Sequence, residues 1–383
     1  MDETRTRTML RLALALSLAL ALINHVLAPK AFAATQLLFD YQFGLIRRGL
    51  AGELLRHLSG GTVSIHEIYA AAALVTLSGI LAFALYLWRY LPRRTSGYLL
   101  LVLAFNSFAF ASFAGNTGYL DGLLMLVAVA ALFSTPNTLA GLALRLVLCA
   151  VGVLVHENML PYFAVLIGLD LWLRTSGRNA RFAIAASPVL AALAVLAILV
   201  LFAEFTPEQA TDYAQHLQAR AGFALDANST DVAGRSIGQN LALMEELRGT
   251  RKYWTWVLFD GVPLFAMSLW LLWLAGRVAG NVAPLTRLFI AAAILSPLSL
   301  NLIAFDVVRF GAASVLAGFL VIGLLLRSIP GAVDRLERTL NWPHFLIVLV
   351  LNANMFTIGV NIGAGHTSQF PWVLLTQWQW FSP

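Results

Sequence analysis

The sequence predicts an all-α polytopic membrane protein of about eleven transmembrane helices, and three observations carry that expectation. Hydrophobic residues make up 60% of the 383, and charged residues only 11%, against the roughly 25% with which a soluble domain covers its surface. Mean hydropathy is +0.79, which excludes a soluble globular domain and a disordered chain alike. The apolar stretches run for about 20 residues without alternation, the length of a membrane-crossing helix rather than the pattern of a barrel strand.

Taken in order, the apolar runs begin near Leu10, Ile68, Tyr98, Leu120, Leu139, Leu160, Phe182, Tyr253, Leu288, Phe310 and His344. The first follows Arg5, Arg7 and Arg11 and reads as an uncleaved span. Ala31-Phe32-Ala33 resembles a signal-peptidase site, and cleavage there would leave ten spans with the same sidedness. The run from Leu139 to Leu173 is interrupted by His156, Glu157, Asn158 and Pro161, and reads as two short helices meeting at a turn. Arg145 lies near the end of one span, where a long side chain can snorkel to the surface. The whole chain, 1–383, reads as a single transmembrane domain with no soluble domain for a nucleotide.

Arginines set the orientation. Arg5, Arg7 and Arg11, then Arg89, Arg93 and Arg94, then Arg174, Arg178 and Arg181, then Arg277 and Arg287, then Arg327, Arg335 and Arg338 all fall on one side if the N-terminus is inside. The short connections of the other side hold only Arg309. Positive residues in short loops stay cytoplasmic, so the N-terminus is expected in the cytoplasm. The formal net charge of +6 therefore reports orientation and not a nucleic-acid partner. Two long connections, 29–67 and 204–252, then face the periplasm of a bacterial inner membrane; long loops cross largely regardless of charge. The second holds a helical stretch near Gln239 to Arg248, and Tyr253, Trp254 and Trp256 after it mark an interfacial belt. The terminal Phe370-Pro371-Trp372 and Trp378-Gln379-Trp380 aromatics read as a membrane-surface anchor or as platforms for sugar rings.

Ionisable residues near a membrane are expensive and so informative. Asp40, Arg47, Arg48, Glu53, Arg56 and His57 occupy the first outer loop. Asn116 and Asp121 sit at the next outer turn, His156 and Glu157 at the one after, and Asp306 and Arg309 at a fourth. Asp260 lies about two turns into its span, where Arg309 or Lys252 is the simplest partner. Each has an ordinary reading: Asp121 as a helix cap, His156-Glu157 as a polar turn, Asp306 and Arg309 as an i,i+3 ion pair. Their shared membrane face points to an outward-facing site. From Phe43 onward, Leu45, Ile46, Leu50, Leu54, Leu55 and Leu58 suggest an amphipathic interfacial helix, with Arg47 and Arg48 at headgroup depth. Guanidinium grips phosphate bidentately, so these arginines are candidate phosphate ligands, with plain lipid contact as the alternative. The lone Cys149 allows no internal disulfide and no cysteine-based metal cluster, and no phosphate loop, zinc signature, nucleophile elbow or dinucleotide fingerprint is present.

An N-in first span, an acidic residue early in the first outer loop and an amphipathic helix before the second span resemble the GT-C superfamily of integral-membrane glycosyltransferases, which use polyprenyl-phosphate-linked sugars. The resemblance covers the organisation of the N-terminal third. It implies that Asp40 takes the place of the family's catalytic or metal-binding acid and that Asp121 matches its second acidic position. The family's acidic pair is replaced here by Asp40-Tyr41.

These readings lead to an expected function: transfer of a sugar from a polyprenyl-phosphate or polyprenyl-diphosphate donor to a glycolipid or surface-polysaccharide acceptor at the periplasmic face. Asp40 would be the general base, with Arg47, Arg48 and Arg309 offsetting the leaving phosphate. Asn116, Asp121, His156, Glu157, Asp260 and Asp306 would support or hold the acceptor. A divalent metal on Asp40 and Asp121 fits such chemistry but is not required by spacing; no nucleotide or haem is expected. A transporter or flippase of a lipid-linked or polar solute is the rival, disfavoured by the absence of an evident repeat.

Overall fold

The computed structural model describes residues 28–135, 138–175, 177–202, 205–234 and 237–352, together with residues 8, 9, 11, 12, 14–16, 18, 19 and 22. Among them every regular element is helical, and Val63 and Ala221 form an isolated parallel β-bridge. Five helices are long and apolar enough to cross a membrane: Ile65–Tyr90, Ala180–Phe202, Arg251–Ala279, Pro284–Leu302 and Val307–Ser328. The chain is thus a helical, membrane-embedded protein.

The expected eleven spans are not matched by eleven membrane-length helices. Thr95–Asn106, Asp121–Phe133, Leu139–Val155 and Trp342–Leu351 are apolar but shorter. The 13 residues of Asp121–Phe133 rise about 20 Å, against ~30 Å of hydrocarbon. Local chemistry sets the breaks. Ser107 turns extended and separates Thr95–Asn106 from Phe108–Gly115. His156, also extended, ends Leu139–Val155, and Pro161 opens the wider turn Leu160–Ala164 before Val165–Arg174. The expected first span is described only in part, and the aromatic segments around Trp372 and Trp380 lie outside the described residues.

The chain divides into two compact units, and the division falls within Ile65–Tyr90. One comprises Val26–Phe83 and Asn116–Ala242. In it Gly79 and Gly122 meet so closely that a Cβ on Gly79 would lie 2.6 Å from the Gly122 Cα, a small-residue contact of the kind that lets membrane helices approach. The two long connections are joined here by backbone hydrogen bonds, Val63 N to Arg220 O at 2.8 Å and Gly222 N to Val63 O at 3.0 Å. Arg145 differs from expectation. It does not snorkel but is fully buried, 2.7 Å from Asp170 and bonded to the Ser134 hydroxyl and carbonyl at 2.9 Å each. Arg174 reaches the other Asp170 oxygen at 2.9 Å. A buried charge must be paired, and these partners supply what water would at the surface.

The other unit comprises Met1–His25, Ala84–Gly115 and Leu243–Pro383. Its centre is Val307–Ser328, in which 83% of the apolar window is buried, against 39% for Arg251–Ala279. The first is therefore a core helix and the second offers an apolar face to lipid. Gly311 and Gly318 receive Leu264 and Leu271, each leaving no room for a Cβ. Ser314 donates to the Ile294 carbonyl at 2.7 Å and lies 2.8 Å from the Ser268 hydroxyl, which itself donates to Leu264 O. The helix Ile237–Arg248, expected near Gln239 to Arg248, is divided between the two units, and in this one Trp256 stacks on Phe305 with centroids 4.7 Å apart.

Candidate functional site

The segment from Phe39 to Ser59 carries most of the chemistry, and its backbone differs from the amphipathic helix expected from Phe43. The helix runs only Gly49–Ser59. Gly44 has φ +104° and Arg48 φ 64°, and left-handed residues cannot continue a right-handed helix. Among the described residues Arg48 is the one non-glycine with positive φ, a conformation costing roughly 1–2 kcal/mol. Gly52 explains why the helix lies where it does: a Cβ there would sit 2.6 Å from Leu38 C and Phe39 N. The helix thus rests directly on the backbone that leads into Asp40. Leu54 and Leu58 are exposed, as an interfacial apolar face requires.

Asp40 is completely buried. Its partners come from the second long connection, which sequence reasoning left without a role. There Thr206 and Gln209 form a capping box that starts the helix Pro207–Arg220. Tyr213, His216 and Arg220 follow at i, i+3 and i+7 and so share one face. Arg220 Nη1 pairs with Asp40 Oδ2 and donates to the Leu38 carbonyl at 3.1 Å. His216 Nε2 is 3.1 Å from the same Asp40 oxygen. The Asp40 N–H donates to the Tyr213 hydroxyl at 3.0 Å, and the Gln42 N–H to Asp40 Oδ1 at 3.2 Å. His216 is 23% exposed where Asp40 is 0%, so the imidazole, not the carboxylate, meets the outside. Phe43 and Tyr213 flank that ring at 5.3 and 6.3 Å. Arg220 Nη2 is buried and makes no hydrogen bond among the described residues. Burial pushes the Tyr213 hydroxyl well above the ordinary phenol range.

Beside this cluster Glu53 accepts from Arg56 Nη2 at 2.6 Å and from the Tyr41 N–H at 3.1 Å. The Arg56 hydrogen bond above all holds the Glu53 carboxyl down at about 2. Burial, and then the Glu53 charge, push Tyr41 up to about 12.

A second group forms where Arg48 meets the turn after Leu139–Val155. Arg48 Nε lies 3.1 Å from each Glu157 oxygen, and its Nη2 pairs with Oε1. His156, buried, places Nδ1 3.3 Å from Glu157 Oε2 and accepts the Asn158 N–H at 3.1 Å. Burial alone would raise the Glu157 carboxyl; the charges of Arg48, His156 and Arg47 outweigh it and hold it well below the usual carboxylate range. The fork on Glu157 is the geometry by which a guanidinium holds a phosphate.

The remaining expected residues stand elsewhere. Asp121 is buried at the first position of Asp121–Phe133. Asn116 accepts the Tyr119 N–H in the turn before it, and Tyr119 stacks on Phe32 at 5.8 Å. Asp306, Arg309 and Asp260 belong to the other unit. Asp306 caps Val307–Ser328 and pairs with Arg309 Nη1 at 3.2 Å, the i,i+3 pair that spacing suggested. Asp260 corrects its expected pairing: it sits half-buried in the wide turn Val257–Gly261 and makes no hydrogen bond or ion pair among the described residues, while Lys252 lies over the Trp256 ring at 4.9 Å. No group of three or more His, Cys, Asp or Glu side chains that could hold a metal ion occurs among the described residues. Asp40, met by Arg220 and His216, offers a divalent cation a guanidinium as neighbour, so the residues present do not fit such an ion there.

Comparison with protein-family models, with curated proteins and with solved structures returns no match in any of the three.

Proposed function

We propose that the protein is a bacterial inner-membrane glycosyltransferase of GT-C-like architecture, acting at the periplasmic face on a polyprenyl-phosphate-linked sugar. One observation supports this reading most: a buried carboxylate backs a partly exposed imidazole, Asp40 behind His216, on the same segment whose Arg48 forks a carboxylate. The first is an acid–base pair and the second a phosphate-type grip. In the proposed reaction an acceptor hydroxyl attacks the anomeric carbon of the donor sugar. The bond from that carbon to the phosphate oxygen breaks, and the phosphate keeps the electron pair. His216 takes the hydroxyl proton, while Asp40 orients the ring and offsets the charge it gains. Arg48, exchanging Glu157 for the donor phosphate, and Arg47 stabilise the leaving group. The shorter apolar helices would complete the membrane domain, and the acceptor would be a glycolipid or a surface polysaccharide.

The test is transfer from a radiolabelled polyprenyl-phosphate sugar to a lipid-extract acceptor by purified protein in nanodiscs. Transfer by the wild type that falls at least about 10²-fold in His216→Ala supports the reading. Absence of transfer with every donor, together with movement of a solute across sealed proteoliposomes, would replace it with a transporter.

A further inference from the structure

The unit comprising Met1–His25, Ala84–Gly115 and Leu243–Pro383 holds a groove of about 840 Å³ at the ends of its helices. Arg277 comes from the last turn of Val262–Ala279, Arg287 from the first turn of Pro284–Leu295, and Arg335 and Arg338 from Ala332–Thr339. Trp273 and Asn281 line it too, and among the described residues no acidic side chain does.

The helix Ala332–Thr339 explains the bias. Its sequence, AVDRLERT, alternates acids and bases. The acids are used elsewhere: Asp334 pairs with Arg94 at 3.0 Å and Glu337 accepts from the Ser96 hydroxyl at 2.7 Å. The bases are left to the groove. Arg335 is committed to carbonyls, Val278 O at 2.7 Å and Pro330 O at 3.1 Å, and so caps the neighbouring chain. Arg277, Arg287 and Arg338 make no hydrogen bond or ion pair among the described residues. Arg287 is placed against its helix dipole, since a cation in the first turn faces the positive end. A topogenic role asks only that arginines be in a loop. It does not ask that four be gathered round one cavity with their acidic neighbours turned away.

We infer that this groove is a binding site for a phosphate group, most naturally the headgroup of an anionic membrane lipid. A phosphate would satisfy the free forks of Arg277, Arg287 and Arg338 bidentately and relieve their mutual repulsion. Trp273, half-exposed on an apolar helix, supplies the interfacial surface against which a lipid's glycerol and upper chain would lie. Basic pockets between membrane helices bind anionic headgroups by this combination.

The experiment uses the full chain, purified in detergent, with native mass spectrometry and thermal-shift titration. The lipid probe is phosphatidylglycerol against phosphatidylcholine; the soluble probe is inorganic pyrophosphate. The variants are Arg277→Gln/Arg287→Gln and Arg277→Lys/Arg287→Lys, the latter keeping charge and insertion while losing the planar fork. Arg335 is left alone because it caps the fold. The expected result is retention of phosphatidylglycerol over phosphatidylcholine, weakened at least about tenfold in the glutamine variant and less in the lysine variant. Pyrophosphate binding with the same variant dependence, without lipid retention, would keep the phosphate site and assign it a soluble ligand. Binding of neither probe, or equal binding by wild type and glutamine variant with both still folded, would overturn the inference.

Discussion

His216 Nε2 lies 3.1 Å from Asp40 Oδ2, across 176 residues of sequence, and the imidazole is the member of the pair that reaches the surface. With Nε2 beside the carboxylate, the proposed base would be the ring's other nitrogen, Nδ1. The same carboxylate oxygen is held by Arg220, so on the proposed function Asp40 would serve both a structural ion pair and a site. These two duties can be separated by mutation. His216→Ala should leave Tm nearly unchanged, because the Asp40–Arg220 pair stays intact, while transfer falls about 10²–10⁴-fold. The measurement is sugar transfer alongside thermal unfolding; a variant that keeps full transfer would remove His216 from the chemistry.

Asp40→Asn should instead unfold easily. It leaves the Arg220 guanidinium in a buried place without its counter-charge, at a cost of about 3–5 kcal/mol. Replacing both, Asp40→Asn with Arg220→Met, should restore much of that loss, since no unpaired charge then remains. Thermal unfolding of the two single variants and the double variant gives the coupling. Additive losses would show that the pair is not the unit of stability.

That the chain is a helical membrane protein was legible because it rests on composition and local pattern, though the expected eleven spans are not matched, and so was the Asp306–Arg309 pair, which is set by i,i+3 spacing. What could not be read is set by contacts distant in sequence. Asp40 could be singled out as an acid in an outer loop, but its burial depends on Arg220 and His216, which reach it only because a capping box at Thr206 fixes where their helix starts. Tyr213, His216 and Arg220 at helical spacing were the signal available, and a cap followed by that spacing points to one loaded face. Arg145 read as snorkelling because its partner Asp170 lies on a different helix. The amphipathic helix, expected from Phe43, starts six residues later at Gly49, because nothing local signals that Arg48 is left-handed and pairs with Glu157.

Gly52 should be intolerant of a side chain. Its missing Cβ is where the Leu38 and Phe39 backbone passes, two residues before Asp40. Gly52→Ala must push the helix Gly49–Ser59 off that strand of chain, which should cost about 1–3 kcal/mol by overpacking. Gly60→Ala, with open space around it but φ +71°, should cost less, about 1 kcal/mol from backbone strain alone. Equal thermal stabilities for the two variants would contradict the close approach.

Acid should weaken the first outer loop. Glu53 is held at about 2 by its hydrogen bond from Arg56, and Glu157 is held well below the usual range by Arg48, His156 and Arg47 against the opposing effect of burial. A carboxyl depressed in the fold contributes stability that is complete above its unfolded value of roughly 4.3 and is lost as pH falls toward the folded value. Tm of the solubilised protein should therefore drop from about pH 5 downward toward about pH 2, and Glu157→Gln should flatten the drop while lowering the plateau. An unchanged slope in Glu157→Gln would show that Glu157 stays charged, or is neutral, in both states.

The sidedness is testable by reporter fusion. The arginines at 89–94 and 174–181 assign their connections to the cytoplasm, and the long connection containing Asn228 to the opposite side. Fusions after Arg94 and Arg178 should report cytoplasm, and one after Asn228 the periplasm. A cytoplasmic report at Asn228 would place Asp40, tied to that connection through Arg220 and His216, on the wrong face for a lipid-linked donor outside.

On the proposed function, Glu157 and a donor phosphate would compete for one guanidinium, and the competition would have a sign. The Arg48 fork is closed on Glu157, and the Arg48 backbone is left-handed. A donor phosphate bound there would have to displace the carboxylate, so part of its binding energy would go to breaking an existing charge-assisted pair, of order 1.5–3 kcal/mol. Glu157→Gln weakens the incumbent and should tighten donor binding by several-fold even as it lowers stability. Arg48→Ala should weaken donor binding by about tenfold or more, and Arg48→Lys, which keeps the charge but not the fork, should fall between. Scintillation-proximity binding of a labelled polyprenyl-phosphate sugar in nanodiscs measures all three. If Glu157→Gln and Arg48→Ala weaken donor binding to the same extent, the pair is a structural clamp for the loop and Arg48 is not the phosphate ligand.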